Sequence, residues 1–397
     1  MSPVGTGRGR RAPLYAAGFV TAFGAHSIAA GLGGLTGGEH ASLLTLGVLL
    51  AVYDGAEVIL KPVFGTLADR TGPRPVLLGG LLAFAVASAA FVIAGDAALI
   101  GVVRFFQGAA AAAFSPAAGA LVARLSPESR HGRAFGGYGA WKGLGYTLGP
   151  VLGGVLITVG GYSLLFATLA GLALAVVSWA ALAVPGLAPL PRARQTVADL
   201  ARRLGHGAFV RPTLALAGAT GALAVGVGFL PVEGAGRGLG PLVTGAVVSL
   251  LAACGALVQP CSGRARDAGR LRDGPGMASG LLLAAAGAVL VTVIPGVAGI
   301  VVAAVAIGVG TGLTTPLGFA HLASSTPRER LGQTMGAAEV GKELGDAGGP
   351  LLVGGLAAIT TLGFSLGGLA VVLSLSALAV VGARSQPGPN RTRVGGG

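Results

Sequence analysis

The sequence predicts an all-α membrane protein whose twelve transmembrane helices form two pseudo-symmetric six-helix bundles, and three observations predict it. Of 397 residues, 53% are hydrophobic and 10% charged, and the mean hydropathy is +0.80. A soluble chain of this length needs far more polar surface. Twelve apolar runs of about 20 residues can be marked, each long enough to cross a hydrocarbon core of about 30 Å. A shift of 200 residues lays Pro116 on Pro316, Pro127 on Pro327, Arg130 on Arg330, Lys142 on Lys342 and Pro150 on Pro350. Glycine matches alone would mean little here, but proline, lysine and arginine matches in one frame indicate a duplicated six-helix unit.

The runs lie near 13–35, 42–65, 75–95, 97–124, 132–158 and 162–185, then 211–232, 240–263, 274–295, 297–322, 332–357 and 361–383. The first follows Arg8, Arg10 and Arg11 and has full spanning length, so it reads as a first helix rather than a cleaved leader. It carries His26, either a substrate contact or a packing residue. The second holds Asp54, Glu57 and Lys61 at i, i+3 and i+7, on one helical face. In hydrocarbon each would cost about 2.5 kcal/mol or more unless paired or facing water. This run leaves the membrane through Gly65, Asp69, Arg70, Gly72 and Arg74. The fourth carries Arg104 and Gln107, and the fifth carries Lys142, Gly145, Gly149, Pro150, Gly153 and Gly154.

Residues 186–210 interrupt the apolar pattern with Arg192, Arg194, Arg202 and Arg203. They divide an amino-terminal bundle, 1–185, from a carboxy-terminal bundle, 211–384. Within this cytoplasmic loop, 197–204 reads as a short interfacial helix. The tail, 385–397, reads as disordered. Cys254 and Cys261 fall in an apolar run and read as free packing residues.

The eleventh run repeats the charged stripe, with Glu339, Lys342, Glu343 and Asp346 at i, i+3, i+4 and i+7. Two hundred residues earlier stand Gly139, Lys142, Gly143 and Tyr146: both halves have the lysine and only the second has the acids. A weaker echo relates Pro62, Gly65, Asp69 and Gly72 to Pro260, Gly263, Asp267 and Gly269. The chain's three lysines, Lys61, Lys142 and Lys342, all lie inside runs. The stripes of the second and eleventh runs overlap in depth, which allows pairs such as Lys61 with Glu339 and Asp54 with Lys342. Five carboxylates against four cations, counting Arg104, leave one acid over. An unpaired buried carboxylate is a natural proton carrier. The plainer alternative is a static ion-pair network that locks helices together.

A formal charge of +13 raises nucleic acid as a partner, but twenty-two arginines lie in loops on the side of the amino terminus against Arg237 alone on the other. That distribution follows the positive-inside rule and places both termini in the cytoplasm, with no nucleic acid implied. An intramembrane hydrolase is disfavoured: the five histidines are dispersed and no His-Glu-x2-His stands in the chain, so no metal site is expected.

The segment Gly65, Asp69, Arg70, Gly72 and Arg74 resembles the loop signature of the major facilitator superfamily, between its second and third helices. Asp69 can there accept from the amino-terminal end of a neighbouring helix, the eleventh on this topology. The resemblance implies that this signature latches the cytoplasmic side shut. Arg104, Gln107 and Gly108 resemble the fourth-helix motif of proton-coupled members. Gly145, Gly149, Pro150, Gly153 and Gly154 resemble the fifth-helix motif of the drug:proton antiporters.

What the resemblance implies is a cavity lined by the first, fourth, seventh and tenth spans, with the second, fifth, eighth and eleventh as moving seam. It implies a proton-coupled secondary active transporter, an efflux antiporter connected with drug or toxic-compound resistance. No cofactor is implied beyond the proton gradient, and a monomer in the cell's inner or plasma membrane is expected. The charged stripes are heavier than in typical drug exporters and favour a small polar or charged cargo. An uptake symporter for a charged metabolite is the alternative, and a receptor on the same fold a further one.

Overall fold

A computed structural model describes residues 8–35, 43–189, 205–239 and 241–381. Eleven α-helices account for most of them: α1 (Arg8–Leu35), α2 (Leu43–Thr71), α3 (Pro73–Ala90), α4 (Ala97–Arg124), α5 (His131–Ala183), α6 (Gly207–Gly236), α7 (Pro241–Asp267), α8 (Asp273–Val293), α9 (Gly296–Ser325), α10 (Leu331–Ile359) and α11 (Leu362–Val381). The expected interfacial helix at 197–204 and the tail at 385–397 lie outside the described residues.

The apolar runs numbered twelve, and the fifth and sixth both lie in α5, a 53-residue segment that a kink divides into two helices. Gly160 and Gly161 leave helical geometry there, and Gly161 takes φ +69°, a conformation open to glycine at little cost. The limbs on either side, 131–159 and 162–183, correspond to the fifth and sixth runs.

Local chemistry sets the helix starts. Gly72 turns at φ +93° and Pro73 opens α3, where a missing N–H costs nothing. Asp96 caps α4 by accepting from the Leu99 N–H at 2.9 Å. Before α5 and before α10 the chain makes the same entry, a proline followed by a single 3-10 turn, Glu128–Arg130 and Arg328–Arg330. The 200-residue frame therefore reappears as backbone geometry.

Among the described residues, eight helical segments are long and apolar enough to cross a membrane, and the one containing α5 has 56 residues. α1, α2 and α10 are not among them.

The first five helices pack mainly among themselves around Leu77, Leu81, Phe84, Phe114 and Leu121. The last six pack around Leu251, Leu281, Ile300 and Leu373. Two antiparallel seams join the halves, α2 with α10 and α5 with α7, and α4 and α9 reach across between them. Met335 of α10 sits on Gly119 of α4, and Phe135 of α5 stacks on Phe319 of α9 at 5.8 Å. These contacts lie toward the end where α2 leaves the bundle and α10 begins, here termed the basic end. Cys254 is half-buried and Cys261 exposed. The expectation of two packing cysteines thus fails for Cys261, which lies on the outer face of α7.

Candidate functional site

At the basic end the two seams are fastened alike. Asp69 takes the Gly332 N–H on one carboxylate oxygen at 2.7 Å and the Gln333 N–H on the other at 2.8 Å. These donors have no acceptor within α10, and the positive end of the helix favours the carboxylate. The same construction closes the other seam, where Asp267 accepts from the Gly132 N–H at 2.9 Å and the Arg133 N–H at 2.8 Å. Gly65 lies so close to the Gly332 carbonyl that a Cβ would collide with it, and Gly263 faces Gly132 in the same way. The sequence expectation for Asp69, and the weaker echo in Asp267, are both realised as geometry. Arg74 donates to the Ala181 carbonyl, whereas Arg70 is exposed.

Further along the α2–α10 seam the charges gather. Lys61 is 1% exposed. It pairs with Glu57 one turn earlier on α2, and across the seam with Glu343 at 2.7 Å and Glu339 at 3.7 Å. Glu339 also lies 4.0 Å from both Lys142 of α5 and Lys342 of α10, and Glu343 lies 3.3 Å from Lys342. All three lysines of the chain therefore surround one carboxylate oxygen.

The network continues into the first half. Tyr53 donates to Glu57 at 2.9 Å, the Arg104 guanidinium lies 4.4 Å over the Tyr53 ring, and Arg104 donates to Gln107 at 2.9 Å. An unbroken run of polar contacts thus leads from α4 through α2 to α10 and back to α5. In such a run, adding a proton to one carboxylate changes what its neighbours can hold.

Of the expected pairs, Lys61 with Glu339 forms and Asp54 with Lys342 does not. Asp54 stands two turns beyond Lys61 on α2, past the point where the seam is in contact, and Gly55 beside it has no neighbour within 4 Å. Lys342 is held instead by the acids of its own helix. Two acids, Asp54 and Asp346, rather than one, make no ion pair or hydrogen bond among the described residues, and both are exposed. His26, also exposed, lays its ring 4.4 Å from Tyr146.

Gly145, Gly149 and Gly153 let α5 approach Phe19, Phe23 and Ser27 of α1, and Ser27 donates to the Gly149 carbonyl at 2.7 Å. Gly154, the last residue of that motif, points away from α1 and has no neighbour within 4 Å. Pro150 is exposed.

Tyr53, Ser115, Tyr146 and Gln259 join the site unannounced. Tyr53 had a signal, standing one turn before Glu57 on the same face. So had Gln259: it precedes Pro260 as Lys61 precedes Pro62, and it lies over Gly139 and Gly143, the counterparts of Glu339 and Glu343. An apolar crevice of about 600 Å³ between α2, α3 and α4, lined by residues such as Leu67, Val86 and Phe106, holds none of the charged groups. It opens on the outer face, where Val86 and Phe106 are exposed.

Two halves joined by antiparallel seams, with ionisable groups at mid-depth where the halves meet, define a multi-pass secondary transporter. The chain matches the Major Facilitator Superfamily over residues 14–350 and again over 238–396, and it belongs to that family, a family of transporters and not of enzymes. Its fold is similar to that of the human organic anion transporter MFSD10, with a TM-score of 0.82 at 17% identity over 96% of this chain and all of that one. The Escherichia coli fucose:proton symporter FucP superposes with a TM-score of 0.77 at 14% identity, over 93% of this chain and 98% of FucP.

By sequence the chain is 31% identical over 126 residues to the quinolone resistance protein NorA of Staphylococcus aureus, 32% of this chain and 31% of NorA. It is 32% identical over 118 residues to the class H tetracycline resistance protein of Pasteurella multocida, 30% of this chain and 29% of that one. These matches span about a third of the length of either relative.

Proposed function

We propose that the protein is a proton-coupled antiporter that exports a small polar or charged molecule, with residues 1–185 and 211–384 moving as two bodies about the seams. One observation carries the reading: the buried Lys61 is shared between Glu57 of its own helix and Glu343 of the opposite half, at 2.7 Å. Such a pair is strong while both acids are ionised, and costly to leave half-made. Protonating Glu343 removes the partner of Lys61 in the opposite half, weakens the tie between halves, and lets the basic end open. Deprotonation restores it.

Asp54 and Asp346, exposed beside this network, are where protons are loaded. Arg104, through Tyr53, holds Glu57 in its ionised orientation. The arginine-rich loops support a cytoplasmic basic end, and on this reading the Asp69 and Asp267 latches close that side while the cavity faces out. Export is supported by the α5 glycine pattern and by the partial likeness to two resistance proteins.

The test is gradient-driven transport in everted membrane vesicles. Asp54→Asn and Glu343→Gln abolish it while the purified variants remain monodisperse. Wild-type activity in both variants removes the proposal. Comparing uptake with retention of a transported compound, in cells with and without the protein, separates export from import.

A further inference from the structure

The geometry points to a zwitterionic substrate, its anionic group bridging Lys142 and Lys342 and its cationic group meeting Asp54 and Asp346, with an aromatic body lying along His26 and Tyr146. This deepens the antiporter reading and rests on it.

The two lysines occupy equal depth on α5 and α10, one in each half, eleven residues into each helix. Unlike Lys61, they reach open space: their side chains are 15% and 14% exposed. An ammonium offers three donors. Among the described residues Lys142 hydrogen-bonds only Ser115, at 3.4 Å, and Lys342 only Glu343, at 3.3 Å. Both flank the same Glu339 oxygen at 4.0 Å, beyond hydrogen-bond range, and that buried oxygen accepts no hydrogen bond among the described residues. A second unpartnered group points the same way. The Tyr138 hydroxyl, on a residue 8% exposed, makes no hydrogen bond among the described residues and lies in the electrostatic reach of Lys142, Glu339, Tyr146 and Lys342. Spare donors from both halves, with a buried hydroxyl beside them, form a site for a carboxylate or similar oxyanion.

One turn farther into the open side the sign reverses. Asp346 follows Lys342 by four residues, about 6 Å of helical rise. Asp54 lies within electrostatic reach of Asp346, and neither acid has a partner among the described residues. A simple anion would have to pass these two carboxylates, and a simple cation would come to rest against two ammonium groups. A molecule with both charges about one helical turn apart satisfies both pairs. Between them the Tyr146 ring faces Lys142 at 5.8 Å and His26 at 4.4 Å, a surface suited to an aromatic ring.

Three probes of one shape test this on purified full-length protein: 4-(aminomethyl)benzoate (both charges), its methyl ester (cation only) and 4-methylbenzoate (anion only). Affinity is read by titration calorimetry and by counterflow in liposomes. Wild type binds the zwitterion at least about tenfold more tightly than either analogue, the worth of one modest ion pair. In Lys142→Gln/Lys342→Gln the zwitterion and its ester bind alike. In Asp54→Asn/Asp346→Asn the zwitterion and 4-methylbenzoate bind alike.

Where a double variant is not monodisperse, Lys142→Gln alone narrows the zwitterion-to-ester ratio, and Lys142→Arg restores it. Equal binding of ester and zwitterion by wild type, an unchanged ratio in the lysine variants, or no saturable binding of the zwitterion overturns the assignment. Any of these results with proton-driven transport still sensitive to Asp54→Asn overturns the substrate class alone. Insensitivity of transport to Asp54→Asn and Glu343→Gln removes the antiporter reading beneath it.

Discussion

At the basic end the α2–α10 and α5–α7 seams are built from the same parts. An aspartate takes two N–H groups at the start of the facing helix, and a glycine presses on a glycine carbonyl. Two turns deeper they part company. Lys61 meets Glu339 and Glu343 on one seam, whereas its counterpart Gln259 lies over Gly139 and Gly143 on the other. A duplicated unit has kept its latch twice and its charge-bearing contact once. On the proposed reading the difference separates two tasks: closing a side uses shape and backbone hydrogen bonds, which both seams supply, while responding to a proton uses a buried ion pair, which among the described residues the α2–α10 seam alone supplies.

The largest expected effect follows from emptying the charged seam. Lys61→Met leaves Glu57 and Glu343 buried without their shared cation, a change that costs about 3–5 kcal/mol. Thermal melting of the purified protein is expected to show a large loss of stability, and vesicle transport to cease. Gln259→Met at the matching position of the other seam costs less than about 1 kcal/mol, since its side-chain oxygen accepts no hydrogen bond among the described residues. Comparable losses in the two variants would erase the distinction between the seams.

The latches, by contrast, should respond equally. Gly65→Ala and Gly263→Ala each drive a methyl group into a backbone carbonyl, an overpacking cost of about 1–3 kcal/mol. In both variants a cysteine placed at the basic end becomes more reactive toward a membrane-impermeant maleimide. A response in one alone would mean that the latches are not equivalent.

The charged seam can also be transplanted. Gln259→Lys places an unpaired cation on α7 and lowers the melting temperature. Adding Gly143→Glu, where a Cβ meets nothing closer than 3.6 Å, supplies the counterpart of Glu343 and recovers about 1 kcal/mol as coupling. Strict additivity of the two changes would show that mid-depth geometry also differs between the seams. The smallest effect belongs to Gly154→Ala, within about 0.5 kcal/mol of wild type because the residue has no neighbour within 4 Å. Gly149→Ala, close to the Phe23 carbonyl, is expected to lose more.

Particular residues show how far the sequence could be read. Family and fold were legible because the hydropathy runs, the loop signature and the 200-residue frame are carried by residue types that few other structures would place so. Asp69 was legible as a cap because the family topology sets its loop beside the start of the eleventh run, on the same side of the membrane. The meeting of Lys61 with Glu339 followed from two charged stripes at equal depth.

Other features were hidden for physical reasons. Whether Asp54 reaches Lys342 depends on where two helices stop touching, which periodicity does not encode. The fifth and sixth runs are separate helices joined by a kink at Gly160 and Gly161 alone, a junction that hydropathy does not mark. Gln259 was hidden by chemistry, since a neutral amide in the place of a lysine leaves no charge to notice.

Lys61 as a proton-sensitive tie between the halves can be tested most directly by distance. Spin labels at Thr71 and Arg328, both exposed at the basic end, in a Cys254→Ser/Cys261→Ser background, report the separation of α2 from the entry to α10 by electron–electron double resonance. Lowering the pH should lengthen the distances in the wild-type protein, and Glu57→Gln/Glu343→Gln should show the long distance at every pH. Distributions that stay short in that variant, or that ignore pH in the wild type, would contradict the account.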